Sequence, residues 1–155
     1  RKNQRKTRGK NSLENFCEAC MRAQEDQIII YGIKNCDTIK KTKKWFDSKH
    51  VNYFFHDFKT LGCEESIAHS MLKQLGHHIL INRRGTTWQK IPQTERETIT
   101  DETALELIIN CPTLIKRPVI QRKGIWLVGY NELAFEKICS PALNSSHNQK
   151  NEGGI

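Results

Sequence analysis

Apolar and polar positions follow two different periods along residues 27–139, and these periods predict a mixture of strands and helices. Residues 28–30 are three consecutive isoleucines, which is typical of a buried strand. Gly32 ends this run, and the apolar positions of residues 38–49 then recur at helical spacing. Residues 50–58, HVNYFFHDF, alternate and are rich in aromatics, so they predict a second strand. Strand, helix and strand in this order form a βαβ unit, which is normally parallel and right-handed.

The second half of the chain predicts helices first and a hairpin afterwards. Helical periods cover residues 64–75 and residues 102–110. Two apolar runs separated by a Lys-Gly turn predict a β-hairpin over residues 114–128, and a last helix follows at about residues 132–138. The order is therefore βαβ, a helical insert over about residues 62–112, and then ββα. This order predicts an α/β protein with a thioredoxin-like fold and a mixed four-stranded sheet.

Both ends of the chain differ in composition from this central part. Residues 1–26 have almost no apolar periodicity, and the first ten hold six lysines or arginines and no acid. We expect a basic extension that is disordered or foreign to the native protein, and only this part is a candidate for nucleic-acid binding. Residues 140–155 are polar and lack core residues, which predicts a disordered tail. One folded domain is therefore expected at residues 27–139.

The composition also bounds the compartment and the state of the cysteines. No apolar run approaches the roughly 20 residues that a membrane-spanning helix needs, and no segment resembles a signal peptide. We therefore expect a soluble, cytoplasmic protein without a membrane partner, in which the six cysteines are mostly reduced. Cys17 and Cys20 form a lone Cys-x-x-Cys without a second pair of zinc ligands. The adjacent histidines His77 and His78 should point to different sides of any regular element, so no metal site is predicted.

Three further cysteines, Cys63, Cys111 and Cys139, lie at the ends of predicted helices. We expect buried or incidental thiols there, and a distant resolving role for one of them stays open. His56 is expected to be exposed or hydrogen-bonded. Trp88 is expected to be a packing anchor of the helical insert.

Cys36 occupies a position that favours reactivity. It stands between the end of the first predicted strand and the start of the first predicted helix. The first backbone N–H groups of a helix lack internal partners and carry partial positive charge, which stabilises a thiolate or another anion. Lys34, Lys40 and Lys41 add positive charge close in sequence. The pattern indicates a reactive thiolate that can also hold an oxyanion.

Five segments resemble the ArsC/Spx/YffB family of arsenate-reductase-like proteins, and the YffB-type reductases most closely. They are YGIKNCDTIKKTKKWF, FHDFKTLG, LINRRGTTWQK, LIKRPVI and GIWLVGYNE, and they span about residues 27–138. The resemblance implies a thioredoxin fold in which Cys36 is the nucleophile. It also implies that Arg117 binds an oxyanion beside the thiolate and that Pro118 is a cis-proline facing the cysteine. Three more residues become candidate contacts for the substrate or for glutathione: Lys34, Asn35 and Arg84.

The chain departs from the arsenate-reductase pattern at several positions. Of three oxyanion-binding arginines, the first falls on Asn82 and the third falls near Gly129. A histidine four residues before the cysteine is replaced by Gly32. These changes argue against efficient arsenate reduction, because a developing dianion needs preorganised positive charge. Ile39, three residues after Cys36, excludes a Cys-x-x-Cys disulfide switch in this loop.

The resemblance and its departures together predict a thiol–disulfide oxidoreductase with one reactive cysteine. Glutathione or a glutaredoxin-type thiol would resolve the mixed disulfide as a co-substrate, and no bound cofactor is expected. Two alternatives stay open. One is an Spx-like transcriptional regulator that contacts an RNA polymerase subunit, and the other is an arsenate reductase that uses glutathione and glutaredoxin.

Overall fold

A mixed sheet is the centre of the fold in the computed structural model, which describes residues 26–140. Its four strands in this range lie in the order β2-β1-β3-β4. β1 is Ile28–Gly32, β2 is Tyr53–Asp57, β3 is Val119–Arg122 and β4 is Ile125–Val128. β1 runs parallel to β2, and β3 runs antiparallel to both β1 and β4. The predicted mixed four-stranded sheet and the thioredoxin-like fold are confirmed.

Helices cover both faces of this sheet. In chain order they are α1 Asp37–Ser48, α2 Phe58–Leu61, α3 Glu65–Leu75, α4 His77–Leu80, α5 Thr86–Gln89, α6 Gln93–Glu97, α7 Asp101–Asn110 and α8 Glu132–Cys139. The longer helices agree with the sequence-based bounds to within one residue at each end. None of the helices between residues 26 and 140 is long and apolar enough to cross a membrane.

The side chains of β1 alternate between two hydrophobic clusters. Successive residues of a strand point to opposite faces of the sheet, and both faces are covered here, so this central strand requires a continuous apolar run. The thiol-side cluster joins β1 and β3 to α1 and α8 through Ile28, Ile30, Ile39, Phe46, Ile120, Phe135 and Ile138. The insert-side cluster joins the other face to the segment between β2 and β3 through Tyr31, Phe58, Cys63, Ala68, Met71, Leu72, Leu80, Ile81, Trp88, Ala104, Ile108, Leu114, Ile115 and Val119.

The insert contains details that differ from the sequence-based expectations. His77 and His78 do not point to different sides, since their ring centroids are 3.9 Å apart. Asp101 explains this arrangement, because its Oδ1 holds the His77 Nδ1 at 2.6 Å and turns that ring against its neighbour. The expected polar loop before Trp88 contains the single turn of α5. The Trp88 side chain itself is buried, so its predicted role as a packing anchor is confirmed.

The predicted tails, residues 1–26 and 140–155, lie outside the described residues apart from one residue at each inner boundary, and so does the lone Cys-x-x-Cys pair. Asp26 belongs to the folded part. Its Oδ1 accepts a hydrogen bond of 2.8 Å from the Arg122 Nη2. Hydrogen bonding by the Arg122 and Lys123 side chains lowers the pKa of the Asp26 carboxyl.

Candidate active site

Cys36 is the residue that immediately precedes the first turn of α1. Its backbone is extended, with φ −87° and ψ 129°, and its side chain makes no capping hydrogen bond. The Cys36 N–H donates to the Ile33 carbonyl at 3.1 Å, and the Lys40 N–H donates to the Cys36 carbonyl at 3.0 Å. The Cys36 side chain is a free thiol, partly exposed, and it borders the thiol-side cluster. The fold therefore fixes the backbone of this cysteine and leaves its sulfur available beside the unpaired N–H groups of a helix.

Gly32 and Ile39 close the base of the loop that carries Cys36. A Cβ placed on Gly32 would lie 2.2 Å from the Ile39 Cδ1 and 2.7 Å from its Cγ1. The Ile39 side chain is 0% exposed and belongs to the thiol-side cluster. The departure from histidine at position 32 thus has a packing reason, because the side chain of Ile39 fills that space.

Pro118 and Arg117 lie at the same end of the sheet as Cys36. Val119 of β3 pairs with Tyr31 of β1, so the next position of the antiparallel register sets Pro118 opposite Gly32. The Arg117–Pro118 peptide bond is cis, and the Pro118 carbonyl accepts a hydrogen bond of 2.8 Å from the Gly129 N–H. The fold thereby brings Arg117 and Pro118 to the edge at which the cysteine loop begins.

The Arg117 side chain is only partly exposed, yet it makes no hydrogen bond or ion pair with any residue between 26 and 140. Lys34 and Asn35 are exposed on the turn directly before Cys36. Their side chains also lack partners within the described part of the chain. The predicted site thus combines one thiol with cationic and amide groups that are open to an anionic molecule.

Two adjacent arginines of the insert behave differently. The Arg83 guanidinium lies 5.4 Å from the centre of the Trp88 ring, and its Nη2 is 3.3 Å from the His78 Nδ1. Arg83 is therefore engaged within the insert. Arg84 is exposed, and its backbone N–H donates a hydrogen bond of 3.2 Å to the Asn82 Oδ1. The structure gives Arg84 no contact with the cysteine loop, so its predicted part in binding stays a prediction.

Lys41 and Tyr130 form a contact beside this edge. The Lys41 Nζ lies 4.3 Å from the centroid of the Tyr130 ring. The Tyr130 hydroxyl donates to the Glu132 Oε1 at 2.6 Å, and this hydrogen bond raises the pKa of Tyr130. Tyr130 is not among the site residues that the sequence predicts. In the sequence, the one feature that pointed to a place near the site was its position directly after Gly129, which ends the hairpin.

The other described cysteines lie away from Cys36. Cys63 and Cys111 border the insert-side cluster, on the opposite face of the sheet. Burial raises the pKa of the Cys63 thiol to about 11. Cys139 ends α8 near Asp26, at the opposite end of β1, and burial raises its pKa as well. No two of these cysteines form a disulfide, and no group of three or more His, Cys, Asp or Glu side chains in residues 26–140 could hold a metal ion.

Comparison with known proteins identifies the family of this chain. The model of the ArsC family matches residues 31–138. The chain belongs to the ArsC family. A protein of Haemophilus influenzae, described as uncharacterized, is 37% identical over 109 residues, which are 70% of this chain and 96% of that protein. The regulatory protein MgsR of Bacillus subtilis is 26% identical and covers 69% of this chain and 86% of its own. The global transcriptional regulator Spx of Streptococcus agalactiae is 25% identical, with coverages of 68% and 77%.

Solved structures of the ArsC family support the same assignment. The YFFB protein is 34% identical with a TM-score of 0.70, and the match covers 74% of this chain and 100% of that one. An arsenate reductase related protein of Brucella melitensis is 38% identical with a TM-score of 0.62, over 72% and 92% of the two chains. The arsenate reductase of Vibrio cholerae shares the fold, with a TM-score of 0.64 over 72% of this chain and 97% of its own, but only 14% identity. The relatives of this chain thus include both arsenate-reductase-like proteins and regulators.

Proposed function

We propose that this chain is a thiol–disulfide oxidoreductase that works through Cys36 alone and uses glutathione to resolve its intermediate. One observation carries the proposal: a free, partly exposed thiol at the start of α1 shares a sheet edge with Arg117, whose guanidinium has no partner among residues 26–140. A guanidinium offers a fork of donors to a carboxylate, and glutathione carries carboxylates beside its thiol.

The reaction consists of two exchanges at sulfur. In the first, the Cys36 thiolate attacks the glutathionyl sulfur of a mixed disulfide between glutathione and another thiol, which leaves as a thiolate. In the second, a glutathione thiolate attacks the sulfur of the glutathionyl group on Cys36, so that glutathione disulfide forms and the Cys36 thiolate returns. Each step forms one S–S bond and breaks one, so that one glutathione thiol is oxidised for each thiol released, and the glutathione disulfide also contains the glutathionyl unit of the original mixed disulfide.

The positions of the other side chains support resolution by an external thiol. Ile39 occupies the position three residues after Cys36, and its buried side chain is packed against Gly32. Cys63, whose thiol is buried, lies on the opposite face of the sheet. Within residues 26–140, this arrangement favours a second thiol that comes from a partner molecule.

A transcriptional regulator that contacts RNA polymerase is the second candidate. The identity to MgsR and Spx, over more than two thirds of this chain, favours it. The absence of a second cysteine in the Cys36 loop distinguishes this chain from a dithiol switch. Capture of the purified chain on a support, followed by incubation with purified RNA polymerase, tests this candidate, and failure to retain the polymerase contradicts it.

The main test uses glutathione disulfide and mass spectrometry. We expect the wild-type chain to acquire one glutathionyl group on Cys36, and added glutathione to remove it. Cys36→Ser should abolish this adduct, whereas the matched variant Cys111→Ser, which removes another partly exposed thiol, should retain it. An adduct that persists in Cys36→Ser would contradict the proposal.

A further inference from the structure

Two lysines of α1 hold their ammonium groups over aromatic rings. Lys43 lies over Phe55 of β2, with its Nζ 3.6 Å from the ring centroid. Lys41 instead lies over Tyr130, directly after Gly129. Its Nζ lies 4.3 Å from the centroid of the Tyr130 ring and makes no ion pair with a carboxylate among residues 26–140. The preceding lysine, Lys40, does approach a carboxylate, with its Nζ 3.9 Å from the Asp37 Oδ1. Lys41 is therefore held in place by an aromatic face while its charge stays available to another anion.

Tyr130 is itself fixed by two further contacts. Its hydroxyl donates to the Glu132 Oε1 at 2.6 Å. Its ring meets the Phe135 ring edge to face, with centroids 5.3 Å apart. A lysine side chain normally loses much conformational freedom when it binds a ligand, and an anchored ring beneath the ammonium reduces that cost.

This contact lies at the edge of the sheet that carries the thiol. Tyr130 follows Gly129, whose N–H donates to the Pro118 carbonyl at 2.8 Å. Tyr130 and Cys36 both border the thiol-side cluster. Lys41, Arg117 and Cys36 thus belong to the same end of the molecule, and the two cations lack carboxylate partners in the described part of the chain.

We propose that Lys41, supported by Tyr130, binds one carboxylate of the glutathionyl group on Cys36 while Arg117 binds the other. This inference rests on the proposed function, because it concerns the same site and the same co-substrate. It names the ligand class more narrowly, as a peptide thiol with two separated carboxylates rather than any small thiol. Lys41 acts as a binding residue and takes no part in the exchange at sulfur.

The test compares two disulfides that differ in charge. The rate of mixed-disulfide formation at Cys36 is measured by mass spectrometry with glutathione disulfide and with the uncharged 2-hydroxyethyl disulfide. Lys41→Gln should lower the ratio of the two rates about threefold to fivefold, which is the usual strength of an exposed ion pair. Lys44→Gln removes an exposed lysine of the same helix and should leave the ratio unchanged. Tyr130→Phe keeps the ring and its contact with Phe135 but loses the hydrogen bond to Glu132, so it should lower the ratio less than Tyr130→Ser, which removes the ring from beneath Lys41.

The outcomes separate this inference from the proposed function. A wild-type chain that reacts with neither disulfide at Cys36 contradicts both. A wild-type preference for glutathione disulfide that survives in Lys41→Gln overturns the role of Lys41 and leaves the proposed function standing. An equal fall of the ratio in Lys41→Gln and Lys44→Gln also overturns it, because the general charge of α1 would then explain the preference. The preference of the wild type should fall as salt is added, since exposed charges are screened.

Discussion

Two residues at the foot of the cysteine loop, Gly32 and Ile39, depend on each other. The strand end and the first turn of α1 approach so closely that the Ile39 side chain occupies the site of a Cβ at position 32. Overpacking a core in this way typically costs about 1–3 kcal/mol, because neighbours are forced from their preferred rotamers. The thiol is therefore positioned by a contact that contains no reactive atom.

Gly32→Ala should lower the free energy of unfolding by about 1–3 kcal/mol and should slow alkylation of Cys36. The added methyl group forces the first turn of α1 away from the strand. Urea denaturation and alkylation kinetics measure the two effects. In the Ile39→Val background the same substitution should cost less, because Cδ1, the atom nearest to the new methyl group, is then absent. Equal costs in both backgrounds would show that the two side chains do not interact.

Sequence reasoning recognised the thiol but not this contact. Cys36 could be found because a strand pattern, a turn and a helical period surround it in the chain. The contact of Gly32 with Ile39 and that of Lys41 with Tyr130 depend on the angle at which elements cross. No periodicity of a single sequence encodes that angle.

The Cys63 thiol gives a prediction about stability at high pH. Burial raises its pKa to about 11 from an ordinary value of 9.0, so the folded state keeps the proton more tightly than the unfolded state. The stability that comes from this bound proton is present in full below pH 9.0, and it is lost as the pH rises through about 11. Urea denaturation at several pH values should show a smaller loss of stability between pH 9 and 11 in Cys63→Ala than in the wild type. Parallel profiles for the two proteins would contradict it.

At the scale of elements, the start of α4 is joined to the start of α7. The Asp101 Oδ1 accepts hydrogen bonds from the His77 N–H at 3.0 Å and from its Nδ1 at 2.6 Å. The hydrogen bond from the His77 side chain has the largest effect in lowering the pKa of the Asp101 carboxyl, and the bond from the His77 backbone lowers it further. One acidic side chain thereby connects two helices that the sequence pattern separates by twenty residues or more.

Asp101→Asn should destabilise the chain at neutral pH by less than about 1 kcal/mol, because the Asp101 side chain is exposed to solvent. A carboxyl with a lowered pKa contributes stability above its unfolded value, 3.8, and loses it as the pH falls through the folded value. The difference between Asp101→Asn and the wild type should therefore shrink below about pH 4 in thermal melts. Glu106→Gln, on the same helix, should leave the melting temperature unchanged at neutral pH, and a matching loss there would contradict a specific role for Asp101.

The short helices show why the insert was predicted less well than the sheet. α2, α4, α5 and α6 have four or five residues each, which is too short for a helical period to repeat. Their ends are set by tertiary contacts, such as the bridge between Ile81 and Ile115 that follows α4. In contrast, α1 and α7 repeat their apolar spacing over several turns, and α7 also begins at the Thr100 cap that closes a hydrogen-bonded box with Thr103.

At the scale of the whole molecule, the sheet separates the cysteine from most of the insert. α1 and α8 pack on the thiol-side cluster, whereas α3 and α7 pack on the insert-side cluster. The insert comes near the site where Ile81 pairs with Ile115, because Ile115 precedes Arg117 by two residues. Positive charge at the predicted site therefore comes from Arg117 together with lysines of the cysteine loop and α1.

This distribution of charge gives a prediction about arsenate. We expect no arsenate-dependent oxidation of NADPH above the blank in a coupled assay with glutathione, glutathione reductase and glutaredoxin. A single guanidinium supplies too little preorganised charge for a developing dianion. The same preparation should still acquire the glutathionyl adduct on Cys36, which serves as the positive control. Clear turnover of arsenate would show that Arg84 or the lysines replace the missing arginines.

Arg122 has a consequence for handling the protein. Its Nη1 donates to the Ile138 carbonyl at 2.7 Å, and its Nε donates to the Asp26 carbonyl at 3.1 Å. One guanidinium therefore binds both the start of the described chain and the end of α8. Both lie at the end of β1 that is farthest from the cysteine loop. A label, a support or a second protein joined directly at residue 26 or at residue 140 would be attached on the far side, and the reactive edge would face outward. Attachment at these two positions therefore leaves Cys36 open to a dissolved disulfide when exchange is followed on a surface.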